Sequence, residues 1–487
     1  MAPAIESHTF WSSMSENRGN TYKKARADHW DRVHGERLPI RGWYYHRYLK
    51  AVFSRIVPPG HRVLELGCGK GDLLASLRPS FGLGVDFSSE AVELARKRHP
   101  SLRFEESEAS VFQSFEGTFD YIVLSDLLND VWDVQQVFVN LRRFCHPRTR
   151  IVMNVYSQLW QQPMGLARRL GVARPLLAQN WLTPEDIRNF LRLTDFELVG
   201  RWPELLMPAT VPGADLINRY LTRIAPFKWL CLTNFYIARP IASPEKQAPS
   251  CSIVIACRNE AGHIRELIER IPWLCEDQEV IFVEGGSTDD TYGTIEQEIR
   301  DLEPGRYRLL RQTGKGKGDA VRTGFSEAKG DVLMILDADM TVAPEDIRLF
   351  YEAIAGNRGE FINGVRMVYP MEDKAMRFFN LIGNKFFAKA FSWLLGQPVR
   401  DTLCGTKVLW REDYLKIAAN RHHLGDIDPF GDFDLLFGAA RLNLQILEIP
   451  IRYGARRYGE TNISRWSHGW LLLRMCVKAA SKIKFAK

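Results

Sequence analysis

Two segments of the chain share one arrangement: a run of apolar residues leads into a polar turn that contains glycine, and a helical pattern follows. The first is HRVLELGCGKGDLLASL, residues 61–77, and the second is PSCSIVIACRNEAGHIRELIERI, residues 249–271. A buried strand followed by a turn and a helix is the opening unit of a parallel α/β sheet. Because the unit occurs twice, the sequence predicts an α/β protein with two domains.

The segment between the two openings has the composition of a linker. Residues 238–250, ARPIASPEKQAPS, are rich in Pro, Ala and Ser and show no apolar periodicity. We place the two domains at residues 1–243 and 248–487, and each is long enough for one α/β domain.

The composition excludes several classes of protein. With 45% hydrophobic and 25% charged residues the chain is typical of globular proteins. Its formal net charge of +7 suits anionic ligands or a membrane surface, but it lacks the concentrated basic footprint of a nucleic-acid-binding protein. Eight scattered cysteines without a C-x-x-C pair disfavour a zinc site or a disulfide framework. We find no signal peptide and no transmembrane span, and therefore expect a cytoplasmic protein.

The first opening carries a glycine-rich loop. Gly67, Gly69 and Gly71 follow the strand VLEL, and such glycines let the backbone turn tightly and approach a ligand closely. Asp86 ends the next strand, about 20 residues further on, where a carboxylate can accept both hydroxyls of a ribose. A glycine-rich loop alone is also compatible with NAD, or with a turn that binds nothing.

With Glu65 on the preceding strand, this segment resembles the class I S-adenosylmethionine-dependent methyltransferases over roughly residues 40–155. The resemblance implies a Rossmann-like fold with S-adenosylmethionine as cofactor. The implied cofactor contacts are Glu65, Gly67 and Gly69 around the methionine part, Asp86 on the ribose, and Glu108 and Ala109 beside the adenine. Five polar residues remain unranked candidates for assisting methyl transfer: Asp126, Asn129, Asp130, His146 and Tyr156.

In the second half, the predicted strands end in acids, glycines or lysines. Open α/β sheets bind ligands at that edge. Asp337 and Asp339 follow the apolar run 332–336, and two like charges at one strand end repel unless a positive group lies nearby. A divalent cation, Mg²⁺ or Mn²⁺, bound to phosphate oxygens would provide that charge. Taken alone, so short a pattern fits a solvated turn equally well.

The order of these motifs resembles glycosyltransferase family 2, of the GT-A fold, over about residues 250–465, and within it the dolichyl- and polyprenyl-phosphate sugar transferases. The family's Asn-Glu, Asp-Asp-Gly-Ser and Gly-Lys-Gly motifs correspond to residues 259–260, 284–287 and 316–318, and the second acid of the Asp-Asp pair is missing. The implied contacts to a UDP- or GDP-linked nucleotide sugar are Asn259, Glu260, Glu284, Ser287, Lys317 and Asp337. The implied metal ligands are Asp337 and Asp339.

The segment RDTLCGTKVLWRED matches the D-x-x-C-G-x-K pattern of the lipid-phosphate subgroup and places Asp401 on the acceptor side. If the acceptor is a hydroxyl, inverting transfer needs a base, which would be Asp401 or Asp432. If the acceptor is a phosphate, basic side chains must hold it and no base is needed. Asp432 is equally compatible with capping a helix. The candidates for binding the acceptor are Arg456, Arg457 and Arg465.

The C-terminal region is basic and amphipathic. Residues 452–487 contain nine Lys or Arg residues and one acid. The basic residues Arg474, Lys478 and Lys482 recur at four-residue intervals and are expected opposite Trp470, Leu473 and Val477. This pattern is typical of a helix on the inner face of a membrane, and equally of a solvated charged face. The apolar residues 376–397 are compatible with a core helix or an interfacial helix.

Together the halves predict a bifunctional enzyme. The first half would transfer methyl groups from S-adenosylmethionine. The second would transfer a sugar from a nucleotide sugar, with inversion and a divalent cation, to a lipid-phosphate or glycan acceptor. One alternative keeps the glycosyltransferase and makes the first half a non-catalytic docking module. Another is a membrane-associated scaffold without chemistry.

Overall fold

The computed structural model describes residues 21–32, 43–170, 177–241, 247–303, 305–366, 368–369, 378–421, 431–454, 458 and 465–485. The chain divides into two compact units, Met1–Ala242 and Ser243–Lys487, and each unit contains its own seven-stranded sheet. The domain limits predicted above, 1–243 and 248–487, stay a prediction about the folding of the separated halves.

Seven strands form the sheet of the first unit: β1 (Arg62–Leu66), β2 (Phe81–Asp86), β3 (Arg103–Glu106), β4 (Phe119–Ser125), β5 (Cys145–Tyr156), β6 (Phe196–Glu204) and β7 (Thr233–Pro240). Their order is β3-β2-β1-β4-β5-β7-β6. Strands β1 to β5 are parallel, and β7 runs antiparallel to β5 and β6. The parallel strands are covered on both faces, which explains why β1, β2 and β4 have nearly continuous apolar sequences.

The helices of the first unit are α1 (21–32), α2 (Trp43–Ile56), α3 (Asp72–Ser76), α4 (Ser89–Arg98), α5 (Val134–Leu141), α6 (Gln161–Arg169), α7 (Pro184–Leu193) and α8 (Ala214–Tyr220). Local sequence explains some of their starts. Before α7, the hydroxyl of Thr183 accepts from the Asp186 N–H at 3.1 Å, and the Asp186 carboxylate accepts from the Thr183 N–H at 2.8 Å. This reciprocal capping satisfies two N–H groups that have no partner within the helix.

The strands of the second unit are β8 (Cys251–Cys257), β9 (Gln278–Glu284), β10 (Tyr307–Arg311), β11 (Val332–Asp337), β12 (Phe361–Val365), β13 (Lys407–Trp410) and β14 (Ile446–Pro450). Their order is β10-β9-β8-β11-β13-β12-β14. Strands β8 to β11 pair in parallel, β13 runs antiparallel to β11 and β12, and β14 pairs in parallel with β12.

The helices of the second unit are α9 (Ile264–Arg270), α10 (Thr291–Ile299), α11 (Lys317–Glu327), α12 (Ile347–Ala355), α13 (Phe378–Leu395), α14 (Arg411–Ala419), α15 (Asp432–Arg441) and α16 (Arg465–Ala479), with a π-helical turn at Ala480–Lys484. Apolar clusters cover both faces of the sheet. Each half is therefore an α/β unit with a largely parallel central sheet, and the predicted two-domain α/β fold is confirmed.

Helices α13 and α16 pack against each other. In α13, Phe391 and Leu394 are buried, whereas Phe386 and Trp393 are 58% and 38% exposed. Within the apolar segment 376–397, of which residues 376 and 377 lie outside the described residues, the helix thus contributes to the core and also has an outward face. None of the helices in the described ranges combines the length and apolarity needed to cross a bilayer.

The outward face of α16 differs from the one expected. The helix buries Leu472, Met475, Cys476 and Ala479 and exposes both Trp470 and Arg474. Because each helical residue advances by about 100°, residues four apart lie only about 40° from each other around the axis. The basic residues therefore lie beside the exposed apolar ones, and the expectation that they lie on opposite faces is wrong.

Candidate active sites

The glycine loop of the first unit lies at the carboxyl end of β1. Gly67, Gly69 and Gly71 have φ angles of 74°, 50° and 74°, in the left-handed region. A Cβ on Gly71 would lie 2.6 Å from the ring of Phe104, and one on Gly67 would lie 3.0 Å from Leu127. Both the backbone conformation and the close neighbours therefore favour glycine in this loop.

Asp86, the last residue of β2, lies directly against this loop. One carboxylate oxygen accepts from the Gly69 N–H at 2.8 Å, and the other accepts from the Ser88 N–H at 3.0 Å. Burial raises the pKa of Asp86, and these two hydrogen bonds oppose the shift. A carboxylate has about four acceptor positions, so Asp86 retains capacity for the hydroxyls of a ribose.

The other residues implied for the cofactor lie along the same edge. Glu65 of β1 is buried, and its carboxylate accepts from an N–H of α3 at 2.9 Å. Burial raises the pKa of Glu65 well above its ordinary value. After β3, Glu108 forms an ion pair with Lys23 of α1 at 2.8 Å. The carbonyl of the next residue, Ala109, accepts from the amide of Asn140 at 3.0 Å.

Helix α1 also contacts this edge, and the sequence analysis missed it. Arg26 pairs with Asp130 at 2.9 Å, and the indole N–H of Trp30 donates to Asp130 at 2.7 Å. Asp31 accepts from the hydroxyl of Ser88, beside Asp86. Aromatic and basic residues that recur every four positions in TYKKARADHWDR are the signal that could have identified this helix.

A polar cluster forms where β4 and β5 end. Asp126 follows β4 with a φ of 57°, in the left-handed region. Its Oδ1 accepts from the hydroxyl of Tyr45 at 2.7 Å and from the amide of Asn154 at 2.6 Å. The Asp126 N–H donates back to the Asn154 Oδ1 at 3.2 Å. Burial raises the pKa of Asp126 to about 6, although both side-chain hydrogen bonds act in the opposite direction.

The other candidates for assisting methyl transfer divide between the two ends of the sheet. His146, in the first part of β5, lies 3.3 Å from the carboxylate of Asp120 at the start of β4. Asn129 is fully buried and accepts from the Tyr156 N–H at 3.2 Å. The ring of Tyr156 lies 6.1 Å from that of Tyr45. His146 is therefore separated from this group by the length of β4.

In the second unit, the two aspartates at the end of β11 have different partners. Asp337 forms an ion pair with Lys317, at the start of α11. Burial disfavours both charges, but the pairing outweighs it, so the pKa of Lys317 is raised and that of Asp337 is lowered. Asp339 accepts from the N–H and the hydroxyl of Thr341 at 3.1 and 2.8 Å.

A second ion pair lies next to the first. Lys407 of β13 is fully buried, and its ammonium group lies 3.0 Å from Asp432 at the start of α15. Asp432 also helps to raise the pKa of Lys317, and Lys407 helps to lower that of Asp337. A Cβ on Gly405 would overlap the Lys317–Asp337 pair. Two lysines and two aspartates thus form one compact charge cluster, which we call the paired-charge cluster.

Asp401 is held by Arg366, just after β12. Its two carboxylate oxygens lie 2.7 and 2.8 Å from the Nε and Nη2 atoms of Arg366, and it also accepts from the Leu403 N–H at 3.1 Å. Asp401 is 1% exposed. Burial works against its charge, but Arg366 outweighs the burial and lowers the pKa of the carboxyl. The bidentate geometry is that of a strong charge-assisted pair.

The remaining residues predicted for the nucleotide sugar connect the ends of β8 and β9. The Asn259 N–H donates to the Ser287 hydroxyl at 3.0 Å, and Asn259 has a φ of 58°. Glu284 accepts from the Ser287 N–H. Glu260 lies 2.9 Å from the imidazole of His263. The bond between Asn259 and Ser287 joins the two loops at the carboxyl edge of the sheet, and each of the other two contacts lies within one loop.

Within the described ranges, no group of three or more His, Cys, Asp or Glu side chains is arranged to hold a metal ion. Asp337 and Asp339 supply two carboxylates, which fits the usual Mg²⁺ site of one or two carboxylates completed by substrate phosphates. Arg456 and Arg457 lie outside the described residues, and Arg465 is described only as the first residue of α16.

Comparison with known proteins gives separate matches for the two halves. The chain is 26% identical over 220 residues to undecaprenyl-phosphate 4-deoxy-4-formamido-L-arabinose transferase of Enterobacter sp. (strain 638), covering 44% of this chain and 62% of that protein. It is 26% identical over 219 residues to polyprenol monophosphomannose synthase of Mycolicibacterium smegmatis, covering 44% and 80%. The chain thus spans about six-tenths of the length of the first relative.

A solved structure of an S-adenosylmethionine-dependent methyltransferase from Mesorhizobium loti is 17% identical with a TM-score of 0.31, covering 39% of this chain and 95% of that one. Residues 58–182 match the family described as methyltransferase domain. Residues 252–416 match the family described as glycosyl transferase family 2. The two predicted resemblances are confirmed: residues 58–182 are a methyltransferase domain, and residues 252–416 are a domain of glycosyl transferase family 2.

Proposed function

We propose that the chain is a bifunctional enzyme that methylates one acceptor with S-adenosylmethionine and glycosylates another, or the same one, with a nucleotide sugar. The sugar would pass with inversion to a lipid-phosphate or glycan acceptor. One relative is named as an undecaprenyl-phosphate sugar transferase and another as a polyprenol monophosphomannose synthase. These names support a lipid-phosphate acceptor.

The paired-charge cluster is the observation that carries the proposed glycosyl transfer. Lys317 keeps its charge because the neighbouring carboxylates raise its pKa, so it can neutralise part of a diphosphate. Asp339 and Asp337 would hold the divalent cation, which, when bound, neutralises charge on the departing nucleotide. Asn259 and Glu284 border the same edge and would contact the nucleoside.

On the acceptor side we propose different roles for the two aspartates. Asp432 lies beside Lys317 at the start of α15 and would take the proton of a hydroxyl acceptor. Asp401 has a lowered pKa and a complete set of partners, which makes it a weak proton acceptor. It would instead position Arg366, whose guanidinium can face an anionic acceptor. Arg456, Arg457 and Arg465 stay proposed as further acceptor contacts.

In the first unit, the glycine loop and Asp86 carry the proposal. A loop in which three glycines have positive φ leaves room for the methionine part of the cofactor, and Asp86 lies where a ribose would extend from that loop. Glu108 and Ala109 border the same edge and would flank the adenine. The protein contribution to methyl transfer is then to align acceptor and methyl group in line and to exclude water.

We also propose that the second unit lies on the inner face of a membrane through α13 and α16. The two helices expose aromatic and aliphatic side chains next to basic ones, a combination that inserts apolar groups into the interface and attracts anionic headgroups. The exposed apolar residues are Phe386, Trp393, Trp470, Leu473 and Val477, and the exposed basic ones include Lys385, Lys389, Arg474 and Lys482.

Vesicle co-sedimentation tests the membrane contact. The full chain should bind vesicles of phosphatidylcholine with phosphatidylglycerol better than pure phosphatidylcholine, and salt should weaken the binding. Arg474→Ser should reduce it roughly fivefold, since a basic residue near an anionic surface contributes about 1 kcal/mol. Lys97→Ser on α4, which removes an exposed basic residue from the first unit, should leave it unchanged. Equal binding to both vesicle types would contradict the proposal.

Two binding measurements test the bifunctional assignment. Calorimetry on the full chain should show one saturable site for S-adenosylmethionine and, with Mn²⁺ or Mg²⁺ present, one for UDP or GDP. If the chain binds the nucleotide but shows no binding heat for S-adenosylmethionine, the alternative in which the first half only docks a partner is favoured. Absence of metal-dependent nucleotide binding would contradict the proposed glycosyl transfer.

A further inference from the structure

The cluster at the ends of β4 and β5 has a free acceptor atom. Both side-chain hydrogen bonds to Asp126, from Tyr45 and Asn154, reach Oδ1. Among the described residues, none donates to Oδ2. Asp126 as a whole residue is partly exposed, whereas Tyr45 and Asn154 are buried. The Oδ1 atom of Asp126 is therefore held by two buried side chains, and Oδ2 can accept a hydrogen bond from a molecule at the sheet edge.

Asp126 follows the strand that lies beside the strand leading into the proposed cofactor loop. Strand β4 is the neighbour of β1, so the two carboxyl ends meet at the same edge. The side chain of Leu127 is the closest neighbour of the position where Gly67 lacks a Cβ, at 3.0 Å. Asp126 directly precedes Leu127, and its left-handed backbone is a strained conformation of the kind that concentrates at functional sites.

We propose that Asp126 is the general base of an O-methyltransferase site, and that the methyl acceptor is a neutral hydroxyl group of a polyol or sugar. This inference rests on the proposed methyl transfer. The hydroxyl proton moves to Oδ2 of Asp126 as the acceptor oxygen forms a bond to the methyl carbon. The C–S bond breaks at the same time, and its electron pair goes to sulfur, which loses its positive charge.

The surroundings of Asp126 favour a hydroxyl over an amine. An alcohol needs a positioned base to become a nucleophile, whereas the free base of an amine is already one. A carboxyl with a pKa near the working pH is matched to that task. The ring of Tyr156 lies 6.1 Å from that of Tyr45 and 6.2 Å from that of Trp181, so aromatic rings adjoin the cluster and would suit the C–H groups of a sugar.

The pH dependence follows from the groups that face Asp126. These are Tyr45 from α2, with Asn154 and Tyr156 from β5, and none of them carries a positive charge. Methyl transfer should rise with pH through about 6, as the carboxyl ionises, and then level off. Tyr45→Phe removes a hydrogen bond that lowers the pKa of Asp126, so the rising limb should move to higher pH.

The decisive experiment compares two Asp→Asn variants at opposite ends of β4. Wild type, Asp126→Asn and Asp120→Asn, each as the full chain, receive radiolabelled S-adenosylmethionine with methyl glycosides of glucose, galactose and mannose, or with the matching 2-amino sugars. Wild type should label the glycoside hydroxyls. Asp126→Asn should lower the rate about 10²- to 10⁴-fold, and Asp120→Asn should not. Calorimetry should give the same affinity for S-adenosylmethionine in wild type and in both variants.

Melting temperatures supply a readout that does not depend on an acceptor. A carboxyl whose pKa is raised in the folded state contributes stability that is lost as pH rises through that pKa. Asp126→Asn should therefore gain melting temperature over wild type between pH 5 and pH 7.5.

Three outcomes would overturn the proposal: a near-normal rate for Asp126→Asn, labelling of amines only, or no labelling of any hydroxyl probe by a chain that binds the cofactor. Failure to bind S-adenosylmethionine would instead overturn the proposed function itself.

Discussion

Three acids at the first sheet edge and two at the second occupy comparable places in the fold but differ in their electrostatic surroundings. In the first unit, Glu65, Asp86 and Asp126 accept from backbone N–H groups or neutral side chains, and burial raises the pKa of each. In the second unit, Asp337 and Asp401 each face a cationic side chain, and the pKa of each is lowered.

This difference suggests how one architecture serves two ligand chemistries. Backbone dipoles and neutral donors suit a ligand that presents hydroxyls at the edge, because the acid can share its oxygens among several neutral donors. Neighbouring lysines and aspartates suit a diphosphate with a bound cation. The lysines can face the phosphate oxygens, and the aspartates can hold the cation. The strand ends fix where the acids lie, and their neighbours decide what they can hold.

The largest effect should come from breaking the buried pair of the second unit. Arg366→Met leaves the carboxylate of Asp401 buried without its cation, which typically costs about 3–5 kcal/mol of unfolding free energy. The pair lowers the folded-state pKa of Asp401, so its contribution is present above the unfolded value of about 3.9 and is lost as pH falls through the folded value. Urea unfolding of the full chain measures the loss.

The pH dependence of that variant sharpens the comparison. Without the guanidinium of Arg366, only two backbone hydrogen bonds oppose the burial of Asp401, so we expect its pKa to rise, as for the acids of the first unit. The stability loss should therefore be larger at pH 7 than at pH 5. Adding Asp401→Asn should recover much of the loss, because the uncompensated charge is then gone. If Arg366→Met alone lowers the free energy of unfolding by less than about 1 kcal/mol, the pair does not stabilise the unit.

A smaller effect is expected at the proposed metal site. Asp339→Asn keeps the size of the side chain but removes one negative charge, so a cation bound there should be weakened and the leaving diphosphate less stabilised. Turnover should fall about 100- to 1000-fold, equivalent to ~3–4 kcal/mol. Nucleotide release with Mn²⁺ titrated against wild type measures it.

The matched control lies at the other end of the same strand. Asp331 directly precedes β11 and accepts from the hydroxyl of Ser250 at 2.6 Å, away from the carboxyl edge. Asp331→Asn should leave turnover and metal dependence intact. If Asp339→Asn retains both as well, Asp339 does not hold the proposed cation.

The smallest effect belongs to the first unit, where no opposite charge is lost. Asp86→Ala should weaken S-adenosylmethionine roughly ten- to a hundredfold, since hydrogen bonds to a charged group contribute about 1.5–3 kcal/mol. Calorimetry measures the affinity, and metal-dependent nucleotide binding serves as an internal control that should not change. Unchanged affinity in a folded variant would remove Asp86 from the cofactor site.

The sequence predicted the framework of both units because their central strands are covered on both faces. Continuous apolar runs, each followed by glycines or acids, identified β1, β2, β8 and β11 and the edge at which they end. The resemblance then supplied roles for those strand-end residues. What it could not supply was the partner of each acid.

Those partners come from distant parts of the chain. Arg366 carries no motif, and its pairing with Asp401 depends on the order in which β12 and β13 enter the sheet. Lys407 stood within a recognised pattern, but only the fold shows that it is fully buried beside Asp432. Helix α1 escaped notice because its four-residue repeat is made of aromatic and basic side chains, whereas the search for periodicity followed apolar ones.

The start of α15 also shows how the spacing of the paired-charge cluster is set. Gly431 has a φ of 76°, and a Cβ there would lie 2.7 Å from the Cα of Gly318, in the turn that carries Lys317. The two backbones meet with no side chain between them, so any larger residue at position 431 would have to push Asp432 away from Lys317. In a mutational scan selected for sugar transfer, position 431 should therefore tolerate almost no substitution, although it contributes no functional group to the reaction.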